Sequence, residues 1–264
     1  MSSSQRGDYA RPIYEEEVDG LVLMEYTEFK LRRPSFMVLG LPDTGLVGVI
    51  STSHMVEALG MEEVAGIEIL PMMPPVAVIS NGRVRTPLRI YYKDNVLALT
   101  SETPVPPNVI HPLSRLLVEY AMKRGVEYIV SIVGVANPQR INIEKPKVYW
   151  IASDEKARSL VEKLEDVEGF LNGYLVGPYA LVLKNALRLR VPNLVLLADA
   201  YMEFPDPEAA AEVLSRLSRI IGQEIDTKKL LEQAEMIRLR LRGLMKQTKQ
   251  SMAEMGAPSP LLYA

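Results

Sequence analysis

The run Tyr128-Ile129-Val130-Ser131-Ile132-Val133-Gly134-Val135 constrains the fold more than any other part of the chain. Apolar residues fill nearly every position, without the alternation of a strand that has one wet face, so both faces must be covered. Strands of this kind sit at the centre of parallel sheets with helices packed on either side.

The neighbouring segments supply those layers. Phe36 to Leu41 is a short apolar run ending at Pro42, and a helix-periodic stretch from Val49 to Leu59 follows, with Gly60 as its stop. Val76 to Ile79, Arg83 to Tyr91 and Val96 to Thr100 read as strands, the last two joined by a turn at Lys93-Asp94-Asn95, which suits an antiparallel insertion or edge. After the Pro-rich loop at 103–108, a helix starting near Pro112 carries Leu113, Leu116, Leu117, Tyr120 and Ala121 on one face as far as Gly125. Lys147 to Ala152 is another strand. Ser153 or Asp154 caps a helix to Leu164, Pro178 opens one through Leu189, and Leu194 to Ala200 returns as a strand. This order predicts a three-layer α/β/α sandwich on a mixed, mainly parallel sheet, spanning 13–204 behind a flexible segment 1–12.

Beyond Phe204-Pro205-Asp206-Pro207 the pattern changes to two helices, Glu208 to Ile221 and Thr227 to about Met252, a helical hairpin over 205–254. Leu230, Ala234, Ile237, Leu241 and Leu244 step by four and three, which fits either packing on the parent domain or a coiled-coil seam between subunits. Gly256-Ala257-Pro258-Ser259-Pro260 then stiffens a tail, 255–264, at about 3.1 Å per residue where the prolines hold it extended.

Composition removes whole classes of function. With no cysteine there is no disulfide, thiolate nucleophile or cysteine-based metal site. A net charge of -3 gives no electrostatic footprint for nucleic acid, and no apolar run approaches the roughly 20 residues of a membrane span. The polar start, Met1 to Asp8, lacks the apolar core of a secretion signal, so the expected location is the cytoplasm. His54 and His111 have no partners at metal-ligand spacing and are expected to be structural; no cofactor is expected.

Two places can hold chemistry. The turn Gly40-Leu41-Pro42-Asp43-Thr44-Gly45-Leu46-Val47-Gly48 joins a strand to a helix, where free amides and the helix dipole hold anions. It lacks the Gly-Lys-Ser/Thr ending of a P-loop and the full dinucleotide fingerprint, and Asp43 repels phosphate, so a tight turn with close helix packing competes with a ligand cleft at Gly40, Asp43, Gly45 and Gly48. Asp199, with Tyr201 and Glu203, follows the strand ending at Ala198, the end at which α/β sheets bind ligands. The same carboxylates also make helix caps and turns, and no nucleophile or base is paired with them. These features support a nucleotide-binding or nucleoside-processing enzyme as the alternative reading. Arg83, Arg85 and Arg89 alternate along one expected strand and share a face; Glu15, Glu16 and Glu17 read as a flexible, solvated run.

The last residues, Leu262-Tyr263-Ala264, follow a hydrophobic-tyrosine-any residue pattern: an aliphatic and an aromatic side chain to bury in a pocket between subunits, and a carboxylate to pair with a basic group. The turn from Gly40 to Gly48, Gly134, Gly177-Pro178, Ala198-Asp199-Ala200 and Pro205-Asp206-Pro207-Glu208-Ala209-Ala210 resemble the proteasome assembly chaperone 2 family over roughly Phe36 to Asp226. The resemblance implies a sandwich similar to nucleoside phosphorylases, self-association, and docking of C-terminal tails into the α-ring of the proteasome core particle. Leu262, Tyr263 and Ala264 match that docking motif, and no catalytic residue is implied. The expectation is therefore a non-catalytic homo-oligomer acting as assembly chaperone or ATP-independent activator.

Overall fold

The computed structural model describes residues 11–71, 77–80 and 82–254. In chain order its elements are β1 (Tyr14–Val18), β2 (Leu21–Glu25), β3 (Phe36–Gly40), α1 (Val47–Leu59), β4 (Glu62–Ile69), β5 (Val78–Ser80), β6 (Arg83–Arg85), β7 (Leu88–Lys93) and β8 (Val96–Ser101). There follow α2 (Ile110–Lys123), β9 (Tyr128–Ala136), β10 (Val148–Ala152), α3 (Glu155–Ser159), β11 (Glu168–Gly169), α4 (Pro178–Leu189), β12 (Asn193–Ala200), α5 (Pro207–Ile221), α6 (Lys228–Glu232) and α7 (Ala234–Glu254).

Ten of the strands form one sheet in the order β1-β2-β4-β7-β8-β3-β9-β12-β10-β11. Its centre, β8-β3-β9-β12, is parallel, and these are the apolar runs that read as doubly buried: every residue of β3, β8 and β12 is buried. Successive residues feed opposite cores, as the two-residue strand period requires. Met37, Leu39, Ile129 and Val133 face α2 and α4, while Phe36, Val38, Val130 and Ile132 face α1, α3 and α5, with Leu230 of α6 and Met245 of α7 joining the second core. The three-layer arrangement follows.

The expectation of a mainly parallel sheet is corrected. β1-β2, β2-β4, β4-β7, β7-β8 and β10-β12 are antiparallel, against four parallel pairings. Two of these pairs, β1-β2 and β7-β8, are hairpins and so must be antiparallel, because a two-residue turn can reverse a strand but cannot return it in the same direction. Asp19 and Gly20, both at positive φ, make the turn between β1 and β2. The acidic run expected to be flexible lies in β1 instead; Lys123 Nζ donates to both oxygens of Glu16, at 2.6 and 2.7 Å, and holds its carboxyl below the usual range. Buried Glu25 on β2 accepts a 2.6 Å bond from Tyr120 Oη and pairs with Arg124, tying this edge to α2.

The expected strand from Arg83 to Tyr91 is broken at Thr86-Pro87, because proline cannot donate to a ladder. Arg83 and Arg85 lie in the small β5-β6 sheet and Arg89 in the large one, so the three arginines do not share a face. Arg85 pairs with Glu63 at 2.9 Å and buried Arg89 with Glu102. The helix capped by Asp154 ends at Ser159, short of Leu164, and the last helix is interrupted at Gln233.

Candidate functional site

The parallel centre of the sheet has a topological switch point. From β3 the chain turns by way of α1 to β4, towards one edge, and from the adjacent β9 it passes to β10, towards the other. The crevice outside the carboxyl ends of such a strand pair is where open α/β sheets bind ligands. A cavity of about 250 Å³ lies there, with Pro42, Asp43 and Thr44 after β3 and Val133 to Ala136 of β9 among its walls.

The Gly40 to Gly48 turn is shaped by close approach. Gly45 takes φ 64, and a Cβ there would stand 2.9 Å from the Cβ of Ala200. A Cβ on Gly134 would overlap the carbonyl oxygen of Thr44, so the turn lies directly against β9. Asp43 is buried, and its carboxylate accepts from Gly48 N through Oδ1, at 3.2 Å, and from Gly134 N through Oδ2. These are amides that an anionic ligand would need, and the chain's own side chain takes them. Burial pushes the Asp43 carboxyl well above the usual carboxylate range, against the pull of those amides.

Tyr179, at the start of α4, reaches the same turn from the other layer. Its Oη accepts a 2.6 Å bond from Leu41 N and lies 3.1 Å from Leu41 O, to which it can donate. Burial, reinforced by the nearby charge of Asp43, raises its pKa well above the ordinary phenol value, so it serves as a fixed hydrogen-bonding post. A second buried post is Asp206: Arg140 donates to it through Nε at 2.8 Å and Nη2 at 3.0 Å, and its own amide donates to Gly45 O at 2.8 Å. Arg140 Cζ lies 4.6 Å from the ring centroid of Tyr201.

Of the sequence-predicted cleft residues, Gly40, Asp43, Gly45 and Gly48 thus meet in one turn, with Asp43 on the cavity wall. Asp199 is also buried, but it faces Tyr149, whose pKa burial and the Asp199 charge push up to about 12, and it is not among the residues lining the cavity. His54 Nε2 lies 2.7 Å from the carbonyl oxygen of Asp226. Leu262, Tyr263 and Ala264 lie outside the described residues.

Sequence reasoning missed most of the cavity. Phe170 and Tyr174 come from the loop between β11 and α4, and Met202 from the loop after β12; Met245, Lys249, Met252 and Ala253 form its roof on α7. The roof residues do repeat at i, i+4, i+7 and i+8, the spacing of one helix face, and that pattern was the available signal. Arg140 carried none, since its partner is 66 residues away.

The profile of the PAC2 family matches residues 37–245. An uncharacterised protein of Methanocaldococcus jannaschii is 24% identical over 245 residues, covering 92% of this chain and 99% of its own. Among solved structures, Pyrococcus furiosus PbaA, an archaeal homolog of proteasome-assembly chaperone, superposes with a TM-score of 0.78 at 27% identity, over 88% of this chain and 99% of its own. Pyrococcus furiosus PbaB, an archaeal proteasome activator, has the same fold with a TM-score of 0.72 at 22% identity, over 86% of this chain and 99% of its own.

Proposed function

Because this chain belongs to the PAC2 family, we propose that it is a non-catalytic proteasome-binding protein that docks Leu262, Tyr263 and Ala264 into pockets of the α-ring and acts as an assembly chaperone or ATP-independent activator. The observation that carries the reading is the likeness to PbaA along nearly the whole of both chains. The site geometry supports a non-enzymatic role: among the described residues the one carboxyl on the cavity wall, Asp43, is engaged by two backbone amides.

The physics of a short tail adds a requirement. Ordering one such segment offsets part of its contact energy, so a single tail binds weakly, whereas several tails on one oligomer raise apparent affinity by roughly 10² to 10⁴ when their spacing matches the ring. A symmetric homo-oligomer in the cytoplasm is therefore part of the proposal.

The test mixes full-length protein, Tyr263→Ala and a form lacking Leu262 to Ala264 with cognate α-rings and with whole core particles. Full-length protein is expected to bind, and Tyr263→Ala to lose about 30-fold or more in affinity, the effect of removing an anchor residue, at an unchanged melting temperature. Faster peptide hydrolysis by core particles marks an activator; accumulation of α-rings marks a chaperone. Equal binding by the truncated form would rule out tail docking, and failure of the full-length protein to bind either particle would overturn the proteasome reading itself.

A further inference from the structure

We propose that the cavity at the β3-β9 switch point is a binding site for an uncharged, mostly apolar small molecule of one or two rings. The proposal does not depend on proteasome binding. Its position is the one that the topology of an open α/β sheet reserves for ligands, and about 250 Å³ admits a bicyclic ring system.

The chemistry of the walls sets the class of ligand. A phosphate or carboxylate at this crevice needs free amides at the turn after β3. Asp43 already binds Gly48 N of that turn and Gly134 N of the adjacent β9, and it would also meet the anion with its own carboxyl. The other lining residues are mostly apolar, among them Val135, Leu175, the rings of Phe170 and Tyr174, and Met202, Met245 and Met252, and the lining cation, Lys249, is paired with Glu203. Methionine is unbranched and polarizable, and it packs well against aromatic edges, so three of them make an adaptable collar for a flat ring.

The same residues provide a way in. Met245, Lys249, Met252 and Ala253 come from the last turns of α7, and this roof is fastened to the far side by the Lys249-Glu203 ion pair. The two side chains are 41% and 53% exposed, and a pair so open to water holds weakly, so the last turn of α7, beyond the buried Met245 and Thr248, can lift to admit a ligand. An occupant would then touch the helix that leads directly into residues 255–264.

The test uses protein labelled with ¹³C at the methionine methyl groups and indole as the probe. Indole is expected to shift the Met202, Met245 and Met252 methyl signals saturably, with a dissociation constant in the millimolar range or tighter, while Met61 and Met122 stay in place. Inorganic phosphate and adenosine monophosphate should move none of them. Val176→Trp, which places a ring into the cavity from a half-buried loop position, should abolish the indole shifts while the Met61 and Met122 signals keep their folded positions. Absence of saturable shifts at the three methyls, or equal binding by Val176→Trp, overturns the proposal. So does movement of the same methyls on removing residues 255–264 before any probe is added, because the cavity would then belong to the chain's own tail.

Discussion

Arg140 and Asp206 meet as a two-pronged ion pair inside the protein, Nε to Oδ2 at 2.8 Å and Nη2 to Oδ1 at 3.0 Å, with side chains 3% and 0% exposed. Asp206 also accepts from Tyr201 N at 3.1 Å and from Ala209 N at 3.0 Å, which makes it the cap of α5. One carboxylate thus joins the loop after β9, the loop after β12 and the start of a core helix. Removing the arginine leaves that carboxylate buried and short of partners, so Arg140→Met is expected to lose about 3–5 kcal/mol in urea denaturation. Arg140→Met with Asp206→Leu should lose less than the sum of the two single changes, because no uncompensated charge remains; additivity would show that the two groups act independently.

Asp43 makes stability depend on pH in a direction that can be read from its surroundings. Burial raises its folded pKa above the ordinary value of 3.8, so between the two values the folded state holds the extra proton. Its contribution is whole below the unfolded pKa and is lost as pH rises through the folded one. Glu16 and Glu57 work in the opposite sense, drawn down by Lys123 and Lys229, so the diagnostic quantity is a difference between proteins. The stability of wild type minus that of Asp43→Asn is expected to shrink as pH rises above about 4. A difference that grows with pH would mean that the two backbone amides outweigh burial.

Two glycines separate close packing from backbone freedom. Gly134→Ala drives a methyl group into the backbone of Thr44, which is itself fixed between the Asp43 contacts and Gly45, and nothing there is free to give way. The expected loss is about 3 kcal/mol or more, with displacement of the Gly40 to Gly48 turn visible in amide chemical shifts. Gly60→Ala meets open space and pays only for φ +58, about 1 kcal/mol. Comparable losses at the two positions would contradict the close approach.

The parts of the fold that were legible in the sequence are those where one rule acts alone. Phe36 to Gly40, Tyr128 to Ala136 and Asn193 to Ala200 are buried on both faces, so burial by itself writes an apolar run. β4 was not legible because Glu62, Glu63, Glu68 and Gly66 interrupt it: two faces with different neighbours, and a glycine whose Cβ would collide with Thr86 and Tyr26, leave no period to count. β1 hid behind its glutamates, one of which is held by a lysine 107 residues away. The turn at Gly40 to Gly48 was visible as a turn, but its use was not. Whether its amides are free for a ligand depends on Asp43 and on Gly134, 91 residues downstream, and pairings at that distance leave no local pattern.

The spacing of Leu230, Ala234, Ile237, Leu241 and Leu244 fitted either an internal packing face or a seam between subunits, and the helix surfaces now separate the two. Leu230, Ala234, Met245 and Thr248 are buried, and Ile237, Leu241 and Leu244 pack half-buried against the core formed with α1 and α5. Met236 and Leu239, at 67% and 73% exposure, lie on the outer side of α7. Met245→Ala is therefore expected to cost about 2–5 kcal/mol of folding stability, through the cavity it leaves, with no change in native mass by light scattering. Leu239→Ser should change monomer stability by no more than about 0.5 kcal/mol. Any effect it has must come through association: a fall in native mass would place a second copy on the outer side of the helix. An unchanged mass would show that the outer side of α7 is not an interface between copies. Loss of native mass in Met245→Ala at full stability would show that the inner face is shared between copies, contrary to the packing seen within one chain.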